Sequence, residues 1–376
     1  MIYFDNAATT LVKPECVIKA DEYALKNLCA NSGRGSHSAS IKAADIIYRA
    51  RNAVKKLTNC DEVIFGFNCT DALNTVIFGT ARRGHVITTA YEHNSVLRPL
   101  RELERRGLIR FTVITPDQSG SINARDVENA IRPDTYLIVV NHISNVTGQV
   151  APVTQIGNIA KRHGLLYLVD GAQSVGYVDT DMRIMGCDYL CFSPHKGLHG
   201  PQGLGCLCLK TGAPLTPAVR FGGTGTASHT VDQPDDIPEG FESGTLPVHS
   251  AFSLIAAITH YNSMPLGTKR ALAALGESLR EELSNIPRVK LYGNYNILPS
   301  IVCFNIDGMN ASAVGDILNE QYDIAVRCGL HCAPLCHKYL GTLKTGAVRA
   351  SLSYHNTAGE TAFFVRAIKE IVGHAR

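Results

Sequence analysis

Short apolar runs recur through the first two-thirds of the chain, at EVIFGF (62–67), HVITTA (85–90), IRFTVI (109–114), TYLIVV (135–140), LLYLV (165–169) and DYLCF (188–192). Segments of helical character lie among them at 71–82, 94–106, 123–131 and 153–163. Apolar strands separated by helices predict βαβ units and a buried, mainly parallel sheet, so the expected class is α/β. The pattern changes near residue 247, where helices at about 247–263 and 268–286 precede strands at 299–305 and 347–352 and a helix near 357–373. That order predicts a second, α+β domain. The expected division is an N-terminal segment (1–20) associated with a small C-terminal domain (263–376), around a large domain (21–262).

Composition narrows the setting. The chain has 376 residues, 45% hydrophobic and 18% charged, which describes a folded globular protein with room for more than one domain. A formal charge of +3 without a dense Lys/Arg block argues against a nucleic-acid partner. No apolar run reaches the roughly 18 residues of a membrane span. The start, MIYFDNAATTLVKP, lacks the basic and apolar regions of a secretion signal. Twelve cysteines without such a signal fit free thiols in a reducing compartment, and the expected location is cytoplasmic.

Candidate chemistry collects at strand ends. Tyr91–Ser95, Asn141–Gly148, Asp170–Ser174 and Ser193–Lys196 each follow an apolar strand directly, where ligands of open α/β sheets bind. Asp170, at the end of LLYLVD, needs a partner there: a helix cap, a buried arginine or a ligand. Lys196 sits in CFSPHKGLHGPQGLG, glycine-rich and beside a histidine. Together they supply what pyridoxal 5'-phosphate (PLP) enzymes require, a Schiff-base lysine and an acid for the pyridine nitrogen. A nucleotide-binding reading finds no GxxxxGK[ST], and GPQGLG lacks the GxGxxG spacing.

The sequence resembles the class V, fold-type I PLP-dependent family, specifically its cysteine desulfurases and selenocysteine lyases. YFDNAATT, YEHNSV, NHISNVTG, VDGAQS, SPHKGLHGPQGLG, FESGTLP, RCGLHCAPL and VRASLSYHNT carry the likeness, in family order over essentially the whole chain. The resemblance implies a seven-stranded-type large-domain sheet flanked by helices, and a homodimer. It gives Lys196 the cofactor linkage and the α-proton, and Asp170 the pyridine nitrogen. Gln173 and Asn145 take the ring's phenolic oxygen, and His93 stacks on the ring and moves protons. Thr70, Asp71, Ser193 and His195 hold the phosphate, joined by Thr245 from the second subunit. Arg349 is the expected ligand of the substrate carboxylate, with a structural ion pair as its alternative. Asn31 and His37 match a substrate-side loop.

Cys328, Cys332 and Cys336 are spaced by four, but Gly329 and Pro334 interrupt a helix that would gather them on a metal. RCGLHCAPL instead resembles the active-site cysteine segment of the desulfurases with a short cysteine loop. The resemblance makes Cys332 the thiol that takes sulfur from L-cysteine, leaving alanine, with His331 beside it setting its protonation. Cys328 and Cys336 are structural or relay sulfur. Cys206 and Cys208 alternate on a strand face in GCLCL, and Cys187 and Cys191 flank another strand. L-Selenocysteine is the alternative substrate; a class V aminotransferase would not need the thiol. The implied partner is an unidentified sulfur or selenium acceptor protein.

Overall fold

The computed structural model describes residues 1–33, 35–265, 267–293 and 296–374. Strand β1 (Ile2–Tyr3) is followed by β2 (Glu62–Gly66), β3 (Gly84–Thr89), β4 (Ile109–Ile114), β5 (Thr135–Asn141), β6 (Leu166–Asp170), β7 (Tyr189–Phe192) and β8 (Gly205–Leu209). The last seven form one sheet in the order β2-β8-β7-β6-β5-β3-β4. Its neighbours pair in parallel except β8, which runs antiparallel to both β2 and β7. The expected α/β class and mainly parallel sheet are therefore found, with β8 as the exception.

Both faces of this sheet are covered. Along β5, Leu137 and Val139 join one core with Leu73 and Val76 of helix Cys69–Gly79 and Val96 and Leu100 of helix Asn94–Arg105. Ile138 and Val140 join the opposite core with Ile46 and Val54 of helix Ser38–Thr58 and Ile156 of helix Val153–Arg162. Alternate side chains of a strand leave on opposite faces, so a doubly covered strand must be apolar throughout. This is why the central strands stood out as unbroken apolar runs.

A second sheet follows in the chain. Strands β9 (Val289–Tyr292), β10 (Ile301–Ile306), β11 (Ile324–Ala325), β12 (Arg327–Gly329) and β13 (Ala347–Ser351) complete the set. Four of them make an antiparallel sheet ordered β12-β13-β10-β9, while β11 pairs in parallel with β1. Helices Gly267–Ser284, Ala311–Tyr322 and Ala358–His374 contribute Leu279, Val314 and Phe364 to its core. The edge strands β9 and β12 carry half-exposed and charged positions, so the sequence pattern did not reveal them.

The start of β8 fixes the helix that opens the site. A Cβ on Gly205 would lie 2.3 Å from the Asn68 carbonyl oxygen, the cap residue of helix Cys69–Gly79. Gly205→Ala is therefore expected to destabilise the protein by about 1–3 kcal/mol, the usual cost of overpacking. Gly359→Ala is the control, since nothing lies closer than 3.9 Å to its added carbon. Thermal unfolding should show a lowered midpoint for the first and none for the second.

Candidate active site

Strands β5, β6 and β7 end level with one another: Asn141 is opposite Asp170, and Asp170 opposite Cys191. Beyond these ends lies a cavity of about 210 Å³, lined among others by Asn68, Thr70, His93, Ser95, Asn145, Asp170, Gln173, Ser193, His195 and Lys196. The four polar strand-end clusters of the sequence thus meet at one place.

Asp170 is buried, and its Oδ1 accepts a hydrogen bond from the Ala172 N–H at 2.9 Å and a longer one from the Cys69 thiol at 3.6 Å. Burial pushes its carboxyl up, against the Ala172 N–H and the Lys196 charge. Desolvation pulls the Lys196 ammonium down, against Cys69 and Asp170. Each group is moved towards its neutral form, and for the lysine that form is the nucleophilic amine.

His93 caps helix Asn94–Arg105, its Nδ1 accepting from the Ser95 N–H at 3.0 Å. An accepting Nδ1 places the proton of the neutral ring on Nε2. Burial, then the charges of Lys196, Arg349 and Arg98, lower this histidine to about 4. His195 donates or accepts at Thr9 Oγ1, 2.9 Å from its Nδ1, and is likewise lowered to about 4 by burial. Both rings are neutral at physiological pH.

The start of helix Cys69–Gly79 brings hydroxyls together. Thr70 Oγ1 is 2.7 Å from Ser95 Oγ, and the Cys69 N–H donates to Ser193 Oγ at 2.7 Å. Asp71 departs from expectation. Its Oδ2 accepts from the Phe67 N–H at 2.8 Å and lies 3.3 Å from Arg220, and it does not line the cavity. A carboxylate pointing at an anion site would oppose it, and here the arginine draws the charge away.

Asn145 and Gln173 each spend one amide N–H on a main-chain carbonyl, His331 at 2.8 Å and Ala7 at 2.7 Å. Their side-chain oxygens, Oδ1 and Oε1, are buried without a partner among the described residues. Such orphans in a cavity wall mark where a polar ligand belongs.

Arg349 is engaged in the ion pair that the sequence left as its alternative. Nη2 donates to Asp5 Oδ1 and Nη1 to the Asn145 carbonyl, both at 2.8 Å, while Nε has no partner among the described residues. Arg327 also binds Asp5, at 2.9 Å.

Cys332 is exposed, on a turn bound to the cavity wall by Asn145 Nδ2 on the His331 carbonyl and by the Asn94 N–H on the Cys332 carbonyl, at 2.7 Å. His331 does not stand beside the thiol as a proton partner. Its ring is buried, with Nδ1 3.2 Å from His337 Nε2 and Nε2 3.3 Å from the Arg327 carbonyl. Cys328 is half-buried and Cys336 fully buried, so the three thiols face different surroundings.

Asn31, His37 and Thr245 are not brought to the Lys196 cavity of the same chain. Thr245 and Asn31 line a separate groove of about 570 Å³, and His37 is an exposed cap of helix Ser38–Thr58. Asn68 lines the cavity without having been singled out in the sequence, and Ser95 and Asn141 have a place at the strand ends there but no role of their own. Ser95 and Asn141 lie inside motifs already singled out, and their place at a helix start and a strand end was the available signal.

The Aminotransferase class-V family model matches residues 2–363. A probable cysteine desulfurase of Methanothermobacter thermautotrophicus is 36% identical, over 99% of this chain and 95% of that protein. One of Pyrococcus abyssi is 32% identical, over 100% of this chain and 95% of its own length. The apo structure of a cysteine desulfurase from Thermococcus onnurineus NA1 superimposes with a TM-score of 0.91 at 31% identity, covering 99% of this chain and 95% of that one. By sequence over nearly its whole length, and by a fold that gathers those motifs at one sheet edge, the chain belongs to the class-V aminotransferase family.

Proposed function

We propose that this chain is a PLP-dependent cysteine desulfurase that converts L-cysteine to L-alanine and carries the sulfur as a persulfide on Cys332. One observation carries the reading. An exposed cysteine turn is hydrogen-bonded to Asn145 and to the residue after His93, and both Asn145 and His93 line the cavity that also holds Lys196 and Asp170. The relatives named above support cysteine as the substrate, and selenocysteine lysis is the reading they do not favour. A plain aminotransferase has no use for the exposed thiol.

The cavity suits the cofactor by the chemistry of its walls. It offers a lysine amine opposite a carboxylate, two amides with unpartnered oxygens, and hydroxyls at a helix start that favours anions. PLP, when bound, supplies an electron sink for bonds made and broken at the substrate's α-carbon. Lys196 would anchor it and hold the α-proton on Nζ; Asp170 would hold a proton on the ring nitrogen. Thr70, Ser193 and His195 would take the phosphate. Asn145 and Gln173 each keep a second N–H for the ring oxygen. Arg349, with an unpartnered Nε, would orient the substrate carboxylate. The Cys332 thiolate attacks the substrate's sulfur, forming an S–S bond as the Cβ–S bond breaks, and Cβ then gains a proton.

We infer a homodimer in which Thr245, which lies in a groove apart from the Lys196 cavity of its own chain, serves the second subunit's phosphate site. Exposure of Cys332 supports hand-over of sulfur to an acceptor protein. Twelve unpaired cysteines support a cytoplasmic location.

Three outcomes test the proposal. Lys196→Ala is expected to lose the visible absorbance of lysine-bound cofactor and to cut alanine release from L-cysteine by at least roughly 10³-fold; full activity would sink the cofactor reading. Cys332→Ser should keep that absorbance while accumulating no protein persulfide by mass spectrometry. A persulfide on Cys328 or Cys336 in an active Cys332→Ser protein would identify the wrong thiol. His93 should stay neutral, protonated on Nε2, from pH 8 down to about pH 5, because its lowered pKa of about 4 admits a proton only below that range. Nitrogen NMR of the labelled ring reads this directly, and a titration near pH 6.5 would contradict it.

A further inference from the structure

The Cys332 turn has an unfavourable backbone. His331 and Cys332 are consecutive non-glycine residues with positive φ, 49° and 56°. L-residues avoid this left-handed region, and two in succession persist only where the surroundings over-determine them. On the cavity side the turn is held by its two carbonyls. The protein side holds it by a different device.

Beneath the turn, the rings of His331 and His337 lie nearly parallel, 22° apart with centroids 5.3 Å apart. His337 is completely buried in helix Pro334–Tyr339, and its Nδ1 is 2.8 Å from the hydroxyl of buried Thr342. The direction of the hydrogen bonds follows from the last acceptor. The Arg327 carbonyl only accepts, so His331 carries its proton on Nε2 and accepts on Nδ1. His337 must then donate from Nε2 and accept on Nδ1, which makes Thr342 the donor at the far end. Burial lowers His331 to about 3 and His337 to about 4, in keeping with two neutral rings. Thr342 is itself fixed, since its N–H donates to the His337 carbonyl at 2.9 Å and its carbonyl accepts from the Gly346 N–H at 2.8 Å.

We infer that His337 and Thr342 are positioning residues for the reactive thiol: with His331 they form a one-way chain of hydrogen bonds that anchors the strained Cys332 turn over the site. The inference rests on the reading of Cys332 as the sulfur-accepting group. The chain is rigid at its Thr342 end and ends on Arg327, a residue tied to Asp5. It therefore transmits the order of the small sheet to a thiol that must itself remain exposed to receive sulfur and give it up.

His337→Phe keeps an aromatic ring and removes both hydrogen bonds; Thr342→Val is isosteric and removes only the far donor. His337→Gln restores a donor near Nε2. Hydrogen exchange of the purified holoenzyme, read on peptides covering residues 327–338, should rise about tenfold in the first two variants as the turn opens locally. Their kcat with L-cysteine should fall by about 10- to 100-fold, as small misplacements of a reacting group do, with KM and cofactor absorbance unchanged. His337→Gln should recover most of both. Wild-type exchange and kcat in both His337→Phe and Thr342→Val would overturn the inference, as would losses that track a lowered melting temperature and lost cofactor. If the wild-type persulfide sits on another cysteine, the functional reading fails, while the exchange result still judges the anchor.

Discussion

A single carboxylate ties the N-terminal segment to the second sheet, and through one of its arginines to the wall of the cavity. Asp5 follows the first strand, pairs with Ser351 in an isolated bridge, and binds both Arg349 and Arg327. The other arm of Arg349 holds the Asn145 carbonyl, and the Asn145 amide holds the His331 carbonyl. Asp5, Arg349, Asn145 and the cysteine turn therefore form one continuous polar path. Buried charges are costly to desolvate, and removing one partner leaves the other uncompensated. The N-terminal segment, β13 and the loop after β5 must consequently stay together for the buried Asp5–Arg349 pair to be tolerated, with the exposed Arg327 bracing it from β12.

Around this path the cavity is polar yet poor in free charge. Desolvation raises Asp170 and lowers Lys196, His93 and His195. Glu92, buried beside them with Oε1 accepting from the Thr89 hydroxyl and the Asn141 N–H, is raised to about 8. A site so arranged gains most from a ligand that brings its own charges. The hydroxyls at the helix start, the Asp170–Lys196 pair and the spare amide N–H groups of Asn145 and Gln173 are the places where those charges would be met.

The thiols are sorted by the same physics. Burial pushes Cys69, Cys191, Cys206, Cys208 and Cys336 well above the ordinary thiol range, and raises Cys303 to about 12 and Cys328 to about 11. A protonated, enclosed thiol is a poor nucleophile. Cys332 differs from these by exposure, and the turn that exposes it is held from beneath by neutral imidazoles. Cys16 and Cys29 are exposed as well, but of the three exposed thiols it is Cys332 whose turn is hydrogen-bonded to Asn145 of the cavity wall.

The sequence by itself determined the order of the large sheet's central strands and the helices between them, because unbroken apolar runs and helical periodicity report burial residue by residue. It also located the cavity, since polar residues placed directly after such strands have only the sheet edge to occupy. Tertiary structure decided where each side chain turned. Asp71 lies one residue from Thr70 yet faces Arg220, and His331 adjoins Cys332 yet points into the core towards His337. Arg349 meets Asp5 across almost the full length of the chain, and Thr245 faces a groove apart from Lys196. Local pattern encodes whether a residue is buried. Which partner it meets depends on how the backbone turns and which segments it brings together, from His337, six positions from His331, to Asp5, 344 positions from Arg349, and only the assembled chain specifies those.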